Sequence, residues 1–181
     1  LILYIVYENH TRNKELLKYA QTDALTGLYN KETTEQLTDE LLSEDENKYH
    51  AFLILDVDCF KQINDIYGHA VGDIVLQKFG KLLKGTFREG DILGRIGGDE
   101  FGVIMKNIQT KDIAMKKAEE LLAKTQAYKI DELKGNNISI SIGISTAPQD
   151  GDCYMDLYKR ADQALYQAKR SGKARVCNYF S

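Results

Sequence analysis

The chain has 181 residues, of which 43% are apolar and 28% charged. That composition suits one folded domain with a short appendage and excludes a disordered or fibrous chain. Its 24 basic and 27 acidic residues leave a net charge of -3, without the basic excess of a nucleic-acid or membrane-surface binder, so a polyanionic ligand must be met by a local site.

Leu1–Tyr7 has the β-branched and aromatic content of a strand. It supplies about a third of the ~20 residues that a membrane span needs, so no membrane contact is expected within these residues. Tyr4–Thr11 resembles the closing strand of PAS sensor domains; the cytoplasmic end of a membrane helix is the competing account. The abrupt start reads as a cut from a longer protein, and Asn13–Ala20 as a short polar helix. Residues 1–22 are therefore expected to hold the end of an upstream sensor domain or linker plus a signalling helix, and residues 23–181 an output domain. Cys59, Cys153 and Cys177 are odd in number and lack CxxC spacing, so neither a disulfide framework nor a zinc cluster is supported and a reducing, cytoplasmic setting is expected.

From Asp23 onward helices and strands alternate. Lys31–Ser43 places Leu37, Leu41 and Leu42 at helical spacing, and the apolar run Ala51–Leu55 predicts a strand buried on both faces. Cys59–Asp65 opens a helix, and Ile74–Phe87 carries Val75, Phe79, Leu82 and Leu83 on one stripe. Ile92–Ile96 and Phe101–Met105 flank Gly97-Gly98-Asp99-Glu100, a hairpin whose glycines are expected to supply positive φ. Lys111–Ala127 is an amphipathic helix. Ile138, Ile140, Ile142 and Ile144 alternate with polar residues or glycine, the pattern of a half-buried strand. Tyr154–Arg170 is a helix and Arg175–Tyr179 a last strand. The β-α-β-β-α-β heart of this order predicts an α/β (α+β) fold of ferredoxin-like type, a mainly antiparallel sheet flanked by helices.

In that topology the first and third strands are central neighbours, so Asp56 and Asp58 should face Asp99 and Glu100. Gathered carboxylates repel unless a cation lies between them, and hard oxygen ligands suit Mg²⁺ or Mn²⁺; the plainer reading is that acidic residues end strands and solvate turns. The helix start after Asp58, with Lys61, suits phosphate. Asn64 and Asp73 offer an amide and a carboxylate that could read guanine, or they are ordinary capping residues. Lys169 and Lys173 bracket Gly172 at a helix end; they could reach a triphosphate, and spacing alone favours complementing the helix dipole.

Gly97-Gly98-Asp99-Glu100-Phe101 resembles the signature of GGDEF domains, the bacterial diguanylate cyclases. It comes with Asp23–Asn30 (DALTGLYN), Leu55–Asp65 (LDVDCFKQIND), Gly68–Asp73 (GHAVGD), Arg160–Lys169 and Gly172-Lys173, in the family's order over about Ala20–Tyr179. The resemblance implies a nucleotidyl-cyclase palm that joins two GTP into cyclic di-GMP as a homodimer, with no role for nucleic acid. It implies Asp56, Asp99, Glu100 and the Val57 carbonyl as metal ligands, with Asp99, Glu100 and Lys61 catalytic. Asn64 and Asp73 would hold guanine, and Cys59, Phe60 (through its backbone), Lys61, Lys169 and Lys173 the phosphates. Arg88-Glu-Gly-Asp91 resembles the RxxD product-inhibition site, with Arg88 and Asp91 gripping cyclic di-GMP. Cys59 and Ala174 depart from the family's usual residues. The rival reading is a GGDEF module without catalysis that binds GTP or cyclic di-GMP as a sensor. A cyclase that also accepts ATP is a third, against which Asp73 argues.

Overall fold

The computed structural model describes residues 20–44 and 48–179. The strand expected at Leu1–Tyr7 lies outside the described residues, as does the helix expected at Asn13–Ala20 except for its end, where Ala20 and Gln21 are helical. The elements are α1 (Lys31–Glu44), β1 (His50–Val57), α2 (Phe60–Tyr67), α3 (His69–Thr86), β2 (Ile92–Arg95), β3 (Glu100–Met105), α4 (Lys111–Ala127), β4 (Ile140–Ala147), α5 (Tyr154–Arg170) and β5 (Val176–Asn178). The sheet order is β2-β3-β1-β4-β5, antiparallel throughout except for the parallel β4–β5 pair. The first four strands thus stand in the ferredoxin-like order, and β5 extends the sheet at one edge.

All eight residues of β1 are buried, because helices cover both faces of the sheet. Leu53, Leu55 and Val57 meet Val75, Phe79 and Leu83 of α3 and Ala118 and Leu121 of α4. Phe79 stacks edge-on against Phe101 with ring centres 4.9 Å apart, an arrangement that aromatic quadrupoles favour. Phe52 and Ile54 point the other way, toward Leu42 of α1 and Tyr154, Leu157, Ala161 and Leu165 of α5.

β4 is buried on both faces, not half-buried as its alternation suggests. Its isoleucines enter the α3–α4 core, while Ser141, Gly143 and Ser145 lie under α5 with their polar groups satisfied; the Ser145 hydroxyl donates to the Leu157 carbonyl at 2.8 Å. A β-carbon at Gly143 would collide with the Ala161 carbonyl and the Leu165 backbone. The small residues are there so that α5 can approach closely, which makes solvent exposure the wrong inference from the pattern.

Two further expectations shift. α3 begins at His69, five residues before Ile74, because Gly68 at φ 87° lets the chain turn directly from α2 into α3. The β2–β3 hairpin forms as expected, yet Gly97 and Gly98 do not take positive φ. Gly97 instead packs against Glu100, whose carboxylate oxygen would stand 2.9 Å from a β-carbon there and would have to move aside.

Gly143→Ala should therefore destabilise the fold by about 1–3 kcal/mol, the usual penalty for overpacking. Urea unfolding should show it as a lower midpoint with an unchanged slope.

Candidate functional site

The end of β1 and the start of β3 lie side by side. Asp56 is the direct register partner of Glu100, and the Val57 N–H donates to the Asp99 carbonyl at 3.2 Å. Asp56, Val57, Asp99 and Glu100 therefore share one corner of the sheet, with the Asp56 side chain on the face that α5 covers. Lys169, in the last turn of α5, places its ammonium 2.7 Å from an Asp56 carboxylate oxygen. Asp56 is only 6% exposed, and that burial holds its carboxyl above the usual aspartate range. The Lys169 contact opposes the rise, and the charges of Asp99 and Glu100 add to it.

Asp58 does not join this cluster, contrary to the expectation that both acidic residues after β1 face Asp99 and Glu100. Its carboxylate accepts from the Ser139 hydroxyl at 2.8 Å, the Ser141 hydroxyl at 2.7 Å and the Ala174 N–H at 3.1 Å. The chain turns at Cys59, whose φ is 59°, and this left-handed residue points Asp58 toward β4 and the turn after α5. That turn is itself left-handed at Lys173 and Ala174, so Asp58 holds in place a backbone that non-glycine residues rarely adopt. Lys173 reaches back from it to the Cys59 thiol at 3.1 Å, and this contact holds its ammonium above the ordinary lysine range. Spacing alone favoured the helix dipole for Lys169 and Lys173. The tertiary structure instead brings both to the loop that ends β1, where α2 begins with Phe60 and the exposed Lys61.

Asn64 on α2 and Asp73 on α3 flank the Gly68 corner. The Asn64 side-chain oxygen is buried without a hydrogen-bond partner, and Gly72 packs so closely that a β-carbon there would overlap it. A buried acceptor left unpaired costs about 1–3 kcal/mol, which a ligand that supplies a donor would recover. Asp73 is exposed beside it.

Arg88 and Asp91 lie elsewhere, before β2, and pair with each other at 3.1 Å. Asp91 is buried and also accepts from the Arg88 and Lys106 backbone N–H groups, while Arg88 donates to the Lys106 carbonyl at 2.6 Å. A cavity of about 710 Å³ bordered by Gln21, Tyr29 and Lys84 opens on one side of the pair. Another of about 530 Å³, bordered by Asn107, Lys116 and Lys117, opens on the other.

Sequence reasoning missed one arrangement. Arg95 donates to both Asp23 carboxylate oxygens, at 3.3 and 3.2 Å, and from Nε and Nη2 to the Gly98 carbonyl, at 3.2 and 2.7 Å. The spacing of Asp23 and Thr26 signals a local Asx turn, and the Thr26 N–H and hydroxyl do bond Asp23. Nothing local points to a partner 72 positions away.

Comparison with known proteins agrees with this geometry. The family described as "Diguanylate cyclase, GGDEF domain" matches residues 20–175. Diguanylate cyclase A of Treponema denticola is 37% identical over 91% of this chain and 46% of its own length. Response regulator PleD of Caulobacter vibrioides is 37% identical over 94% of this chain and 39% of its own. The uncharacterized protein YhcK of Bacillus subtilis is 38% identical over 98% of this chain and 51% of its own. The coiled coil and GGDEF domain of DgcB from Caulobacter crescentus, solved in complex with c-di-GMP, superposes with a TM-score of 0.88 at 25% identity, covering 97% of this chain and 94% of that one. The chain belongs to the GGDEF family. It spans about half the length, or less, of these curated relatives.

Burial alone would raise the Asp23 carboxyl, but the Thr26 hydrogen bonds and the Arg95 charge outweigh it and hold the group below its ordinary range. A lowered carboxylate stabilises the fold above the unfolded value of about 3.9, and that stability is lost as pH falls through the folded value. Asp23→Asn should thus cost stability at neutral pH, and its gap to wild type should close below about pH 3.9. Denaturant titrations from pH 7 to pH 2 would measure this.

Proposed function

We propose that the chain is the catalytic domain of a diguanylate cyclase, which condenses two GTP into cyclic di-GMP and two pyrophosphates. Residues 23–181 would form that domain, and residues 1–22 the end of an upstream sensor or linker with its signalling helix. The observation that carries the reading is the corner where Asp56, Asp99 and Glu100 lie on adjoining strand ends beside Lys169 and Lys173, with the unpaired Asn64 oxygen on the helix that follows β1.

The donor set fits a hard divalent cation. Asp56 is acidic, buried and already paired with an ammonium, so a cation is what this position is built to hold. Asp56, the Val57 carbonyl, Asp99 and Glu100 would hold Mg²⁺ or Mn²⁺, which when bound offsets the triphosphate charge and makes the α-phosphorus more electrophilic. Lys169, released from Asp56, and Lys173 would bind phosphate oxygens from one side. Lys61 and the backbone at Cys59 and Phe60, where α2 starts, would bind them from the other. The Asn64 oxygen would accept from the guanine exocyclic amine and Asp73 from N1–H. Adenine has no 2-amino group, so ATP would leave the buried Asn64 oxygen unpaired, and its N1 is an acceptor that would face the Asp73 carboxylate.

One such site would hold one GTP, so closing two phosphodiester bonds would require a homodimer in which each 3′-hydroxyl meets the partner's α-phosphate. Asp99 or Glu100 would accept the proton of that hydroxyl. Holding the reactants in line is worth roughly 7–11 kcal/mol. No described helix is long and apolar enough to cross a membrane, and the reading places the domain in the cytoplasm, with its substrate.

The test is chromatography of products from the full-length protein, including its dimerising region, incubated with GTP and Mg²⁺. Wild type should yield cyclic di-GMP, and Asp99→Ala should slow turnover by roughly a hundredfold or more, as loss of a charge that stabilises the transition state does. A full-length wild type that binds GTP and never turns it over would shift the assignment to a sensor module.

Arg88 and Asp91 would form the product-inhibition site once they part from each other, with the Arg88 guanidinium moving onto a phosphate of cyclic di-GMP. Arg88→Ala should then raise the final product yield and remove inhibition by added cyclic di-GMP. Progress curves at several product concentrations would report both effects.

A further inference from the structure

Gly97 and Gly98 leave the turn that carries Asp99 without side chains to restrict its backbone, and the space beside the Gly98 α-carbon is open. Its aspect must therefore be imposed from outside. Two contacts bracket Asp99. On one side the Val57 N–H holds the Asp99 carbonyl at 3.2 Å. On the other, Arg95 Nε and Nη2 hold the Gly98 carbonyl at 3.2 and 2.7 Å, the oxygen of the peptide whose N–H belongs to Asp99. The remaining nitrogen of that guanidinium, Nη1, is held by both oxygens of Asp23.

Asp23 is fixed in turn. It accepts from the Thr26 N–H and hydroxyl at 2.9 and 2.7 Å, and its own N–H donates to the Leu28 carbonyl. Tyr29 then runs along β2, its N–H on Leu93 and its carbonyl on the Arg95 N–H. Asn30 bonds the carbonyls of Ala20 and Gln21, the helical residues where the chain enters the domain. One guanidinium is thus shared by the entry turn and the turn that bears Asp99.

We propose that Arg95 is a positioning residue: tethered by Asp23, it sets the orientation of the Gly98–Asp99 peptide and couples the entry turn that follows Ala20 and Gln21 to the acidic corner. The proposal rests on the cyclase reading for its consequence in turnover, but not for the tether itself. A planar guanidinium holds a carboxylate and a carbonyl at once, whereas a single ammonium cannot match both geometries. Arg95 touches neither the phosphate-binding lysines nor the base-reading residues, so its loss should spare substrate binding.

The experiment compares Asp23→Asn, Arg95→Gln and Arg95→Lys in the full-length protein by hydrogen exchange and by steady-state kinetics. Exchange in the peptide covering Gly97–Phe101 should quicken about tenfold in the first two variants, the scale of one lost charge-assisted hydrogen bond, with peptides of β1 and β4 unchanged. Arg95→Lys should fall between. Turnover should drop about ten- to a hundredfold with the KM for GTP within about twofold, and the double variant Asp23→Asn with Arg95→Gln should be no worse than Arg95→Gln alone. Unchanged exchange in that peptide in both Asp23→Asn and Arg95→Gln overturns the proposal whatever turnover does, and so does a uniform rise across all peptides, which a merely structural pair would produce. A wild type that makes no cyclic di-GMP removes the cyclase reading, and the exchange data still decide the tether.

Discussion

The arrangement depends on an electrostatic liability. Antiparallel pairing of β1 with β3 sets Asp56 against Glu100 and brings Asp99 alongside, so three acidic residues share the end of the sheet, and the charges of Asp99 and Glu100 bear on the buried Asp56. Like charges gathered in this way repel, the more so where water is partly excluded. The fold answers with Lys169, delivered by α5 to within 2.7 Å of Asp56. The close seat of α5 on β4, made possible by Gly143 and the buried serines, is what brings that ammonium into range. A core-packing feature thereby determines the charge balance of the site.

The surrounding loops spend conformational energy on the same corner. Cys59, Lys173 and Ala174 all adopt left-handed backbone without being glycine, and such residues persist only where neighbours over-determine them. Asp58 supplies that constraint through its three hydrogen bonds. Its neighbour Asp56 keeps its carboxylate for the charged cluster. Two acidic residues separated by one position thus divide the work, one holding the scaffold and the other joining Glu100, Asp99 and Lys169 in the charged corner.

Much of the fold was legible locally. The apolar run of β1, the helical stripes and the Gly-Gly hairpin all appear where periodicity and turn chemistry put them, because burial on a known period is a short-range signal. The signal misled where two different physical causes write the same pattern. In β4 alternating isoleucine and small polar residues suggested a wet face, but the small residues accommodate a helix. Gly97 does not take positive φ and packs beside Glu100 instead. At Gly68 the chain turns without a connecting loop, so α3 begins before its apolar stripe does.

What the sequence by itself determined is the order of the elements, the family they belong to, and the convergence of Asp56 with Asp99 and Glu100, since strand order follows from topology rules and motif spacing. Only the tertiary structure decided that Asp58 turns away, that Lys169 and Lys173 close on the end of β1, and that Arg95 joins Asp23 to the Asp99 turn. Those partners are 72 positions apart for Arg95 with Asp23 and 116 apart for Asp58 with Ala174. Such pairings depend on loop dihedrals and helix seating, quantities set by the packed whole and not encoded in any local period.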